Sequence, residues 1–111
     1  MHLTWQLKKY KRKQNQMPAY AILNIDIHDP VVMEEYKKLG PTTVEAHDGK
    51  FIVRGGDTTV LEGAWNAKRL VIIEFPTVEK AKAWWHSAAY QHAKAIREKA
   101  ADTDLVIVDG M

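Results

Sequence analysis

Between Ala19 and Ile27 the chain alternates, with Ala21, Leu23, Ile25 and Ile27 on one side and Tyr20, Ile22, Asn24 and Asp26 on the other. That period of two is the mark of a strand with one dry face. Asp29-Pro30 follows, an N-cap and a proline at the first helical position, and Val32, Tyr36 and Leu39 recur at helical spacing up to Gly40. Gly40-Pro41 predicts a break, with Pro41 to His47 restarting as a second helical piece, before Asp48-Gly49 turns the chain into a strand over Lys50 to Arg54. Gly55-Gly56-Asp57 and Glu62-Gly63 frame a short strand-like segment, Thr58 to Leu61. This elaborated hairpin leads through Trp65 and Asn66 into a long strand, Arg69 to Phe75. Thr77 then caps a helix with Val78, Ala81, Trp84 and Trp85 inward. Ser87 caps another, whose narrow apolar stripe is Ala89, Ala93, Ile96 and Ala100, and Asp104 to Asp109 closes as a strand.

Strand, helix, strand, strand, helix, strand in so short a chain predicts an α+β fold, the ferredoxin-like split βαβ arrangement with an antiparallel sheet. Helices cover only one face of such a sheet. The other carries Tyr20, Ile22, Leu70 and Ile72, too apolar to stand in water. A homodimer is the remedy, two sheets meeting across a two-fold axis as a dimeric α/β barrel.

Composition narrows the picture. At 111 residues, 46% hydrophobic and 27% charged, there is room for one globular domain and no second. Cysteine is absent, which excludes disulfides and thiol chemistry and suits a reducing cytoplasm. No apolar run reaches the roughly 20 residues of a membrane helix. The net charge of +2 is unevenly spread, since Lys8, Lys9, Lys11, Arg12 and Lys13 lie in an acid-free segment, residues 1–16. Setting those five aside leaves 11 of the 16 basic residues against 14 acidic ones, so the formal charge from Met17 onward is −3. That balance argues against a nucleic-acid surface on the domain, 17–111. The arm, with Trp5 and Tyr10 among its cations, reads as an extension outside the core fold, or as a helix end with Leu3, Leu7 and Tyr10 at helical spacing. Nucleic acid and membrane are not expected partners.

Alternation turns Leu70, Ile72 and Glu74 to the interface side with Asn24 and Asp26, and Arg54 is expected to join them, opposite Phe51 and Val53. A guanidinium and a carboxylate converging in an apolar interface cavity suit a small anionic or carbonyl-bearing ligand, with Arg54 as bidentate anchor and Glu74 as proton acceptor. An Arg54–Glu74 ion pair that merely satisfies both groups explains the same pattern. Arg69, Glu62 and Trp65 surround the hairpin, where Trp65 reads either as a lid or as packing against the partner. Among five histidines none has metal spacing, so no metal is expected. His47 is the preferred acid/base candidate, aimed at the cavity from its turn. His86 and Tyr90 form a second cluster if the helix runs through Ser87. Gly55-Gly56 fits no phosphate motif and reads as a turn needing positive φ.

The MPAY opening, the DP-initiated helix with EEY, the segment from Gly49 through FIVRGG, the LEGAW turn, the KRLVIIEFP strand and the AxxWWxSxxY helix together resemble one family, the domain of unknown function (DUF) 1330 family. It lies within the dimeric α/β-barrel superfamily that also holds antibiotic-biosynthesis monooxygenase-like proteins. The resemblance runs from Met17 to Met111 and implies a homodimer of ferredoxin-like subunits. No reaction comes with it. By superfamily analogy the expectation is a cofactorless enzyme, monooxygenase-like, isomerase-like or lyase-like, acting on a small organic acid or aromatic compound. The alternative is a non-catalytic or stress-associated module that captures a metabolite. A third reading, an amino-terminal Pro18 acting as a base, requires translation to begin at Met17.

Overall fold

The period-two segment folds as β1 (Ala19–Ile27), with Ala19, Ala21, Leu23 and Ile25 buried. The computed structural model describes residues 17–111, so the basic arm and the roles expected of it lie outside the described residues. β2 (Lys50–Arg54), β3 (Arg69–Phe75) and β4 (Ala101–Asp109) complete one antiparallel sheet in the order β2-β3-β1-β4. Helices α1 (Pro30–Glu45), α2 (Val78–His86) and α3 (Ala88–Ala100) supply the second layer. This is the ferredoxin-like α+β fold, its second helix in two pieces. Leu23, Ile25, Met33, Val44, Ile73, Phe75, Trp84 and Tyr90 fill the core between the layers. Among the described residues no helix is long and apolar enough to cross a membrane.

The caps fall where expected. Val32 N donates to Asp29 Oδ1 at 3.1 Å, Lys80 N to Thr77 Oγ1 at 3.1 Å, and Tyr90 N to Ser87 Oγ at 3.2 Å. The predicted break at Gly40-Pro41 does not occur, and α1 runs through Pro41 to Glu45. An interior proline removes a hydrogen bond and costs about 3 kcal/mol. Tertiary contacts offset it. Thr43 Oγ1 donates to the Gly40 carbonyl at 2.7 Å and accepts from Trp84 Nε1 at 3.1 Å, while Thr43 and Val44 are buried on the core side.

Thr58 to Leu61 forms no strand. Residues 56–66 are exposed throughout and have no ladder partner among the described residues. β4 starts at Ala101 rather than Asp104, directly from the end of α3, where the Ala100 carbonyl accepts from His28 N at 2.9 Å and Asp29 N at 3.0 Å. The buried stripe of α3 is Tyr90, Ala93, Arg97 and Ala100; Ala93 and Ala100 lie on it as expected, whereas Tyr90 and Arg97 take the places of Ala89, which is exposed, and Ile96, which is half-buried.

The departure that matters most lies in β2. Lys50 opposes Glu74 and Phe51 opposes Ile73, but Val53 opposes Ile72 and Arg54 opposes Val71, leaving Ile52 as a bulge. An extra residue inverts the faces beyond it. Val53 therefore joins the open face and Arg54 the helix face. Across the open face Val53, Ile72, Ile22 and Val106 stand in direct register as one apolar row. Val106 and its neighbour Val108 are 56% and 47% exposed.

Candidate functional site

The inverted Arg54 looks into a cavity between α1 and the sheet. Strand positions that point to the helices supply one wall, Leu23, Ile25, Val71 and Ile73, and Met33, Gly40, Pro41 and Val44 of α1 supply the other. Trp84 and Tyr90 close the end, with ring centroids 4.2 Å apart, and Phe75 stacks behind Trp84 at 5.3 Å. The lumen is about 30 Å³, room for two or three waters at roughly 10–15 Å³ each. A ring-sized ligand enters only by displacing the side chains at the mouth.

Those side chains are Arg54 and Arg69. Arg69 opens β3 opposite Ile25 and so points to the helix layer. Its guanidinium lies against Gly55, whose backbone holds φ +74° and where any added Cβ would overlap the guanidinium. The positive φ favours glycine there, and an added Cβ would also make the Arg69 guanidinium shift. The Arg54 guanidinium sits 4.6 Å from the centroid of the Phe51 ring, a cation–π contact. Among the described residues neither arginine forms an ion pair. Among the described residues these are two cations without carboxylate partners at the mouth of an apolar cavity, an arrangement chemically able to accept an anion.

Deeper in, Tyr36 of α1 and Tyr90 of α3 meet with their hydroxyl oxygens 2.9 Å apart and their rings edge to face at 6.3 Å. Arg97 Nη1 donates to the Tyr90 hydroxyl at 2.6 Å. Burial first, and then the adjacent Tyr36, push the Tyr90 phenol well above the ordinary tyrosine range, while Arg97 pulls only part of the way back. Tyr90 stays protonated at any physiological pH.

The structure brings Arg54, Arg69 and Tyr90 to one cavity and separates the other candidates from it. Glu74 stays on the open face, accepting from Tyr20 Oη at 3.2 Å and pairing with Lys50 Nζ at 3.4 Å. Arg54 and Glu74 are not a pair, because the bulge at Ile52 puts them on opposite faces. His47 does not aim into the cavity. Its Nδ1 lies 3.0 Å from the Thr43 carbonyl, which turns the ring back along α1. His86 and Tyr90 do not cluster: Ser87, with ψ 147°, breaks the helix between them, and the exposed His86 meets the edge of Trp85, 5.0 Å between centroids. Asn24 and Asp26 line an open polar trough beside β4 with Lys68 and Asp104, and Asn24 Oδ1 accepts from Lys68 N at 2.8 Å. Trp65 is 61% exposed on the loop. Among the described residues no group of three or more metal-ligating side chains gathers.

Two members of the cavity cluster escaped sequence reasoning in this role, Tyr36 and Arg97. Their signal was present. Tyr90 and Arg97 are seven apart, two helical turns, and so share a face; an arginine on the inward stripe, only 5% exposed, is the unusual feature.

A family model described as Domain of unknown function (DUF1330) matches residues 18–111. No curated protein matches the chain. Among solved structures, a protein of unknown function from Rhodopseudomonas palustris is 16% identical with a TM-score of 0.71, over 93% of this chain and 91% of its own. SnoaB, a cofactor-independent oxygenase from Streptomyces nogalater, is 9% identical with a TM-score of 0.60, over 86% and 94%. A dimeric ferredoxin-like protein of unknown function from Thermobifida fusca is 17% identical with a TM-score of 0.52, over 85% and 92%.

Proposed function

Because the chain belongs to the domain of unknown function (DUF1330) family, whose name carries no reaction, we propose its function from the geometry of the cavity. Each protomer of a homodimer binds a small organic acid, with its carboxylate between Arg54 and Arg69 and its apolar or aromatic body against Phe51, Pro41 and Trp84. The observation that carries this reading is the pair of arginines that, among the described residues, have no carboxylate partner at the mouth of an apolar lumen. The homodimer is supported by the unshielded row Val53, Ile72, Ile22 and Val106, and by the relative from Thermobifida fusca described as dimeric. The absence of cysteine supports a cytoplasmic setting.

Turnover without a bound cofactor is a second reading, supported by likeness in fold to SnoaB. The polar groups lining the cavity are cations and phenols, with no carboxylate or imidazole among them. They suit stabilising negative charge on a ligand oxygen, not removing a proton with a carboxylate.

Benzoate is the test ligand for binding, followed by calorimetry or by chemical-shift changes at Arg54 and Arg69. Hydrogen bonds to a charged partner contribute about 1.5–3 kcal/mol, so Arg54→Ala and Arg69→Ala should each weaken benzoate by roughly 10- to 150-fold. Both variants should leave the dimer and its melting intact. Benzoate affinity unchanged by both substitutions, or variants that lose the fold, would sink the anion reading.

A further inference from the structure

The chain of contacts Arg97, Tyr90, Tyr36 has a direction. A guanidinium only donates hydrogen bonds, so Arg97 Nη1, 2.6 Å away, makes the Tyr90 oxygen an acceptor. Tyr90 is fully buried and keeps its proton, and an orphaned buried O–H costs about 1–3 kcal/mol. Among the described residues the remaining partner of that hydroxyl is the Tyr36 oxygen at 2.9 Å. Tyr90 therefore donates to Tyr36. The Tyr36 oxygen accepts, and its own O–H is left over.

Tyr36 is half-buried and lines the cavity, so the leftover donor belongs to the lumen. Behind it stands a guanidinium 5% exposed that has no carboxylate partner among the described residues and whose Nε has no hydrogen-bond partner either. Its centre lies 5.9 Å from the Tyr36 ring centroid as well. A buried cation at one end of a two-hydroxyl chain, where Arg97 also lines the trough that holds Asp26, Glu98, Asp102 and Asp104, polarises both hydroxyls toward the other end. A fixed donor of this kind, aimed at where negative charge resides, needs no reorganisation when the charge arrives.

We propose that the Tyr36 hydroxyl, polarised by Arg97 through Tyr90, is a directed donor to an oxygen of the ligand. That oxygen is a carbonyl, enolate or phenolate, carried in addition to the carboxylate. The ligand class narrows to hydroxy- or oxo-substituted organic acids. The carboxylate half of this assignment rests on the anion reading of Arg54 and Arg69; the donor direction does not.

The two halves separate by choice of probe. 4-Nitrophenolate carries an oxyanion and no carboxylate, and its visible absorption shifts to shorter wavelength when the oxygen accepts a strong hydrogen bond. Titrated into the full-length protein, it should bind with that shift. Tyr36→Phe should lose the shift and at least about ten-fold in affinity, as expected for a hydrogen bond to a charged group, while benzoate changes less than two-fold. Tyr90→Phe leaves the Tyr36 hydroxyl in place and cuts its link to Arg97, and should weaken 4-nitrophenolate by about three-fold with a reduced shift. 4-Nitrophenolate that fails to bind the wild type, or that binds both variants with wild-type affinity and spectrum, overturns the proposal. Benzoate failing while 4-nitrophenolate behaves as stated overturns the carboxylate site and leaves the donor standing.

Discussion

Replacing Thr43 by valine keeps the side-chain shape and removes one oxygen. That oxygen is the acceptor for Trp84 Nε1 at 3.1 Å and the donor to the Gly40 carbonyl at 2.7 Å. Trp84 is 1% exposed, so water does not take the vacated place, and an unsatisfied buried indole N–H costs about 1–3 kcal/mol. With the lost bond to Gly40 beside Pro41, Thr43→Val should destabilise by about 2 kcal/mol. For a domain of this size that corresponds to roughly 10 °C in Tm. Thr43→Ser retains the hydroxyl and should cost under about 1 kcal/mol. The decisive measurement is a double-mutant cycle with Trp84→Phe, by chemical denaturation at one fixed protomer concentration, since dimer stability varies with concentration. In the phenylalanine background no indole N–H remains, and Thr43→Val should cost less than about half its wild-type value. Equal costs in the two backgrounds would refute the claim that this bond carries Pro41 through the helix and fixes the wall of the cavity.

Tyr90 makes stability depend on alkaline pH. Its folded-state phenol is raised above the ordinary value near 10, so the benefit of burying it is whole below about pH 10. It declines as the unfolded chain ionises above that, by up to about 1.4 kcal/mol per pH unit. Tyr90→Phe should be less stable at neutral pH, since Arg97 Nη1 loses its acceptor, yet show a shallower fall between pH 10 and 12 in urea denaturation. Parallel slopes would count against the buried phenol. On the open face, Val106→Asp with Val108→Asp should give monomers at micromolar concentration in sedimentation equilibrium, because each uncompensated carboxylate buried between sheets costs several kcal/mol. An unchanged dimer would exclude that face as the interface.

What could be read from the chain alone was the framework. β1 and β3 announce themselves because alternation there is uninterrupted and one set of residues is wholly buried, and the Asp29, Thr77 and Ser87 caps because each combines a polar side chain with a following helical period. The site was harder. Phe51, Ile52, Val53 and Arg54 look like a regular strand, and nothing in four alternating letters says that Ile52 is left without a partner; the bulge is decided by pairing with β3, a non-local event. Simple alternation therefore puts Arg54 on the wrong face, with Glu74 as a false companion. Pro41 misled in the opposite sense, because the hydrogen bonds that sustain α1 around it come partly from Trp84, 41 residues away. Arg97 does not stand out in the sequence because arginines normally face water, and only the packed stripe of α3 shows that this one does not.

The junction of α3 with β4 has no connecting residue, and the carbonyl at that joint is clasped by two amides from the end of β1. The joint fixes where α3 ends, and with it the place of the guanidinium one turn upstream. If the cavity takes a ligand as proposed, substitutions near the mouth should retune which molecules enter without disturbing the charge at the back. Lengthening the joint by a single glycine would do the reverse, leaving the entrance untouched while setting the inner cation adrift.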